Sequence, residues 1–278
     1  MIVTATLLGL AALASSVRGK GSRAVSYVGM DFRGRDLDGK DFSGALMTGA
    51  QMGGCSASKA SFRGARMSRA NLDNLRAFDA SFVGAVLEDA SLVGARFENC
   101  DFNRALLSRA DLSGATLIGC RLSGAVVDGV RFERTIMPMT TANGVIFDSC
   151  NLNGANLGGC ILRQASFGRA SMRGCSLRYS RMRGAALLSA ELDGADLVGV
   201  QMPSTRLDGA RLVDANLSGA NLRGSSLRGA NLLGAVLVGA DLGDALFNDE
   251  TVFPGGFDPR AAGMRKYSRG GAVYSQDY

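Results

Sequence analysis

The side chains best suited to chemistry in this sequence all obey one spacing. Cys55, Cys100, Cys120, Cys150, Cys160 and Cys175 are separated by multiples of five residues. Thiols can serve as nucleophiles, metal ligands or disulfide partners. A nucleophile needs an activating base, however, and the chain contains no His. The same absence excludes a His-dependent triad, a His metal site and an imidazole general base. No Cys spacing resembles a zinc ligand set. Six cysteines at one phase of a period read as packing, because free Cys behaves as a small buried hydrophobe. A second phase carries Asp111, Asn151, Asn156, Asp196, Asn216, Asn221, Asn231 and Asp241. These invite a metal or catalytic role. Solvent-facing rows whose side chains bond nearby backbone account for them better. The Gly-rich stretch from Gly219 to Gly229 lacks the following helix and the Lys-Ser/Thr pair of a phosphate loop. The residues thus point to no catalytic centre, no metal and no cofactor.

The element that positions all of them is a pentapeptide. From Met30 to about Asp249, every fifth residue starting at Phe32 and ending at Phe247 is large and apolar, with Ala57, Ala77 and Ala142 as the exceptions. Two residues earlier the side chain is small, usually Ala or Cys, and two residues later it is commonly Gly. In an extended segment, residues two apart share a face, so the small and the large residue both point inward. The next small residue can also point inward only if the chain turns, and Gly tolerates the turn dihedrals. Phe42, Phe62, Phe82 and Phe102 recur at intervals of 20, which gives four pentapeptides per turn. At ~4.8 Å per coil, about 11 coils make a rod of roughly 50 Å. Cys100 and Cys120 then stack on adjacent coils. Their Cα spacing permits a disulfide, but parallel side chains a strand spacing apart favour two thiols.

A stretch such as Ala215-Asn216-Leu217-Ser218-Gly219-Ala220-Asn221-Leu222-Arg223-Gly224 resembles the pentapeptide-repeat family, whose unit is A-(D/N)-L-x-x. The resemblance covers about four-fifths of the chain and implies an all-β fold, a right-handed quadrilateral parallel β-helix with short non-repeat caps. Leu75, Val130, Val145 and Val200 depart from it at the small position. Ala142, inside Met137–Val145, departs at the large one, which predicts a bulge that keeps the frame.

Sorting residues modulo 20 gives four sides. Between Arg63 and Arg223, the side with the Phe ladder carries Arg63, Arg104, Arg121, Arg163, Arg181, Arg183 and Arg223 against a single acid, Asp101. The other sides are near neutral. Such a face suits a protein with an acidic surface, a membrane-protein complex or anionic lipid heads. Nucleic acid is disfavoured, since no aromatic residues interleave and a flat side offers no groove-reading element. A solvated face that merely keeps the rod soluble is the plainer alternative. Val86, Leu106, Val126 and Ile146 form an outward apolar column, which is either part of a docking surface or dimer contact, or a ladder that branched residues simply suit.

The ends differ from the repeat. Residues 1–29 begin with an apolar run, Ile2 to Ala14, too short to span a bilayer. Ala12-Leu13-Ala14 matches a cleavage site, yet no basic residue precedes the run, while Arg18, Lys20 and Arg23 follow it. It is either the end of a targeting sequence or a cap for the first coil. Residues 250–278 form a C-terminal cap, in which Phe253 and Phe257 cover the last coil and two prolines stop strand pairing, followed by a loose polar tail from Arg265. The run from Thr251 to Met264 resembles the ending of cyanobacterial and plastid family members. That likeness implies a thylakoid setting, lumenal or membrane-associated, with a cytoplasmic or exported site as the alternative.

The function expected is that of a non-enzymatic scaffold, a rigid rod that binds other proteins through its faces and joins or stabilises a thylakoid photosynthetic complex. The runner-up is a regulatory binder of an enzyme. Some family members resemble duplex DNA and act on DNA gyrase, but mimicry needs an acidic surface, and this chain has formal charge +6 with 31 basic and 25 acidic residues.

Overall fold

The structure, a computed structural model, describes residues 24–267. Its architecture is the right-handed parallel β-helix expected, with four pentapeptides per coil. Ser61 bridges Ser81, Ser81 bridges Asp101 and Asp101 bridges Arg121, each in parallel register. Most rungs are this short. On one side they lengthen into β1 (Arg76–Phe78), β2 (Arg96–Glu98) and β3 (Thr116–Ile118), paired in that order.

One pentapeptide shows why the sequence folds this way. Phe62 N–H donates to the Ser81 carbonyl at 2.7 Å, and Ser81 N–H donates back to Ala60 at 2.9 Å. Ala65 N–H closes the corner on the Phe62 carbonyl at 3.0 Å. Gly64 is the third residue of that turn and takes φ 62°, a region open to Gly without steric cost. The corner does not demand Gly everywhere. Asn74 and Asp89 take φ 56°, and Arg104 and Tyr179 take 60° and 55°.

Inside, Phe42, Phe62, Phe82 and Phe102 stack with ring centroids 5.2, 4.8 and 4.6 Å apart. All six cysteines are free and buried. They do more than fill space: Cys55 Sγ donates to the Phe32 carbonyl at 2.8 Å, and Cys160 Sγ to Met137 at 2.9 Å. Thr135 and Thr205 occupy the same small position and donate to the carbonyls of Leu112 and Met182. The centre Ala77 is buried, and Leu75, fully buried two residues earlier, restores on the same rung the volume that Ala77 lacks.

Three expectations are corrected. Met137–Val145 does not bulge: Met137 N–H donates to Asn156 and Ala142 N–H to Ile161, as in regular coils. The irregularity lies one side further on. No bridge joins Val126 to Ile146, although Val86–Leu106 and Leu106–Val126 are bridged. The N–H groups of Val127 and Ile146 find no backbone acceptor among the described residues. The two valines at small positions, Val130 and Val145, bracket this open rung and are both buried. Two side chains larger than the usual Ala or Cys thus stand at the ends of the rung that lacks its bridge, whereas a single one, such as Val200, leaves the Gln201–Asn221 bridge intact.

Second, the repeat geometry starts before Met30: Ser26 already bridges Leu46, and Tyr27 packs edge-on against Phe32 and Phe42. Tyr27 falls in the five-residue frame and is apolar enough to serve as its centre. The apolar run Ile2–Ala14 lies outside the described residues. Third, pairing resumes after the C-terminal prolines. β4 (Leu246–Phe247) pairs in parallel with β5 (Arg265–Lys266), and Tyr267 N–H donates to the Phe247 carbonyl at 2.7 Å. Arg265 therefore closes the last coil, and only residues beyond Tyr267 fall outside the description. Phe253 stacks on Phe257 at 5.2 Å and meets Phe247 edge-on, so the two do cover the final coil.

Candidate functional site

Outward side chains flank each buried centre, one on either side. On the Phe side, the centres Leu162, Met182 and Met202 lie one coil apart and are fully buried. The residues around them are Arg163, Arg181 and Arg183, with Gln201 and Pro203 on the following coil. These five line a shallow concavity of about 320 Å³. The walls are fixed by the rungs beneath them: Ile161 bridges Arg181, and Arg181 bridges Gln201. Arg163 N–H donates to Asn143 Oδ1 at 3.0 Å. Gln201 Nε2 donates to the Gly199 carbonyl at 3.2 Å, while its Oε1 accepts from Asn221 Nδ2 at 3.3 Å.

Tyr179, the corner residue two positions before Arg181, has 62% of its surface exposed. Its ring lies over Gly199, where a Cβ would meet the ring carbons Cε1 and Cδ1 at 2.5 and 2.6 Å. A side chain at Gly199 would therefore displace the Tyr179 ring. The Arg178 guanidinium lies 5.5 Å from the Tyr179 ring centroid and pairs with Asp196 at 2.9 Å.

The lining of this patch gathers three arginines and no acid. On several other rungs the coil repeat sets acids against bases: Asp89 with Arg109, Asp111 with Arg131, Asp208 with Arg228 and Glu191 with Arg173. Asp89 is held below the usual carboxylate range by its hydrogen bond from Arg109. None of Arg163, Arg181 and Arg183 has a carboxylate partner among the described residues. Arg76 and Arg96 also stack on another side, but the neighbouring rung position there carries Glu98.

The seven arginines of the basic side thus fall into three groups. Arg163, Arg181 and Arg183 come together. Arg121 pairs with Asp101 at 3.2 Å, and Arg223 with Asp244 at 2.9 Å. Arg63 and Arg104 stand apart, each exposed on its own coil. In the apolar column, Val86 and Leu106 are half-buried, whereas Val126 and Ile146, at the open rung, are 43% and 62% exposed. Sequence reasoning missed Tyr179, Gln201 and Pro203. Two signals were available: Tyr179 is the only aromatic residue at a corner position of the repeat, and Pro203 stands where a side chain beside a centre is expected.

The thiols offer no competing chemistry. Burial pushes Cys150, Cys160 and Cys175 up to about 12. Cys120 is raised by its hydrogen bond with Cys100 and by burial. No cluster of metal-ligating side chains occurs among the described residues.

Comparison with known proteins follows the same line. The family model for pentapeptide repeats matches in eight copies, from residues 29–64 to residues 210–249. The chain belongs to the pentapeptide-repeat family. No curated protein matches it. Among solved structures, it is similar to HetL, a pentapeptide repeat protein involved in heterocyst differentiation regulation from the cyanobacterium Nostoc sp. strain PCC 7120. That match has 26% identity and a TM-score of 0.33, and covers 84% of this chain and 94% of HetL. A second pentapeptide repeat protein from Nostoc PCC 7120 is 30% identical over 44% of this chain and 84% of its own length, with a TM-score of 0.30. A pentapeptide repeat protein of the Arabidopsis thaliana thylakoid lumen is 28% identical, covering 42% of this chain and 68% of its own, with a TM-score of 0.17.

Proposed function

We propose that this pentapeptide-repeat protein is a non-enzymatic binding rod that docks an acidic protein surface on its basic side. The observation that carries the reading is the concavity of Arg163, Arg181 and Arg183, three exposed guanidiniums without a carboxylate partner among the described residues. Mutual repulsion of such a group persists at cost unless something anionic meets it. The rigid backbone presents it without ordering entropy, which favours association. The ending from Thr251 to Met264 supports a thylakoid setting, where the rod would join or stabilise a larger photosynthetic assembly. No helix among the described residues is long and apolar enough to cross a membrane.

The test is co-purification of the tagged chain from its own cells at low and high salt, beside a variant carrying Arg163→Glu, Arg181→Glu and Arg183→Glu. The expected result is a partner that is retained at low salt, released at high salt and lost from the variant. Surface changes away from packing cost within about 0.5 kcal/mol, so the variant should melt like the parent. A partner captured equally by both proteins would overturn the reading.

A further inference from the structure

The geometry points to an occupant for the concavity: an extended acidic segment of the partner with carboxylates at alternate residues, seated along the rung of Arg181 and Arg183. This rests on the protein-docking reading above and specifies its ligand. Arg181 and Arg183 flank one centre, two residues apart on an extended rung. An extended chain repeats its same-face side chains at that same interval, roughly 6.7 Å. Two carboxylates spaced one residue apart in the partner can therefore each face one guanidinium. Arg163 lies one coil below Arg183, ~4.8 Å away along the rod, and can share the second carboxylate.

Three features favour such a segment over other anions. Side chains leave a β rung roughly parallel rather than converging, so the arginines do not focus on one point as a phosphate cradle does. A concavity of about 320 Å³ also accommodates several side chains. An anionic membrane would draw on many charges, yet Arg121 and Arg223 on either side are already engaged by Asp101 and Asp244. Clustered unneutralised charge on this side lies on two successive coils, with Arg63 and Arg104 standing singly on others.

Two fluorescein-labelled peptides of equal composition distinguish the outcomes. One alternates Glu with Thr; the other groups its glutamates at one end. Fluorescence anisotropy is measured with the full chain, the Arg181→Glu/Arg183→Glu variant and, in parallel, vesicles containing phosphatidylserine. The expected result is tighter binding of the alternating peptide by a few-fold, and loss of roughly tenfold or more in the variant, as two charge pairs are reversed. Equal binding of the two peptides, undiminished binding by the variant, or arginine-dependent binding of vesicles without peptide binding would each overturn the inference. If neither peptide binds while partner capture still depends on the three arginines, the segment geometry fails and the docking reading stands. If capture also survives the triple reversal, both fail.

Discussion

Replacing Phe82 by Ala removes the middle ring of a stack. Phe82 is fully buried, with Phe62 at 4.8 Å on one side, Phe102 at 4.6 Å on the other and Phe97 edge-on at 5.6 Å. Phe→Ala in a core costs ~3–5 kcal/mol, more where the site cannot collapse. Here both neighbouring coils are held apart by backbone bonds, Phe82 N–H to Asp101 at 2.7 Å and Ser81 N–H to Ala60 at 2.9 Å. Collapse is blocked along the rod axis, so about 4–5 kcal/mol is expected. The chain contains a natural counter-case in Leu75 and Ala77, where the large and small residues exchange places on one rung. Ala80→Leu alone should cost about 1–3 kcal/mol by overpacking. Combined with Phe82→Ala, it should recover much of the loss, leaving a total near 2–3 kcal/mol and a favourable coupling of at least ~2 kcal/mol. Denaturant unfolding of the parent, both single variants and the double variant closes the cycle. A double variant as unstable as the two singles added together would refute the volume-exchange argument, and with it the account of how Ala77 is accommodated.

Two further outcomes follow from the core and the ladder. With a pKa of about 12, roughly one Cys160 thiol in ten thousand is ionised at pH 8; iodoacetamide should leave the six cysteines of the native chain unmodified and label all six after denaturation, as read by mass spectrometry. Amides of Val127 and Ile146, which lack a backbone acceptor among the described residues, should exchange with deuterium orders of magnitude faster than those of Leu107 and Phe147, whose bonds to Val126 and Ser166 are 2.8 and 2.7 Å; uniform protection across these four would show the rung to be closed.

What could be read from the sequence was whatever depends on period alone. The frame of five and the recurrence of Phe42, Phe62, Phe82 and Phe102 determine which residues point inward and which share a side. Features that arise between coils were hidden. Val130 and Val145 each look like a tolerable departure, and the open rung lies between them because they stand at opposite ends of one side on adjacent coils. The donors Cys55 and Thr135 reach carbonyls 23 residues earlier, a relation diagonal to the repeat. Likewise, listing arginines by side could not reveal that Arg121 and Arg223 are neutralised while Arg163, Arg181 and Arg183 are not. Arg223 finds Asp244 at 21 residues, one position beyond its stacked neighbour on the next coil.

Those diagonal relations also give the mildest way to silence the proposed site. In this ladder, a residue before a centre pairs with one after the preceding coil's centre, 18 residues away: Glu191 holds Arg173 at 3.1 Å and Asp196 holds Arg178 at 2.9 Å. Gln201 stands in the same relation to Arg183, and 20 residues from Arg181, the separation that joins Asp89 to Arg109. It presents a neutral amide where the pattern elsewhere places a carboxylate. Gln201→Glu is nearly isosteric and should dock on Arg183 and Arg181 without disturbing the coil. An exposed pair of this kind contributes only about 0–1 kcal/mol to stability, so the melt should hold or rise slightly. Binding should fall several-fold, because an internal carboxylate now competes for the guanidiniums that the partner needs, and because it repels the partner's acids. Binding of the alternating acidic peptide, measured by anisotropy across a salt series, reads both effects: the variant should show weaker affinity and a shallower salt dependence. Unchanged affinity would mean that Arg181 and Arg183 are bystanders, and that the absence of a carboxylate at this position has no bearing on what the rod binds.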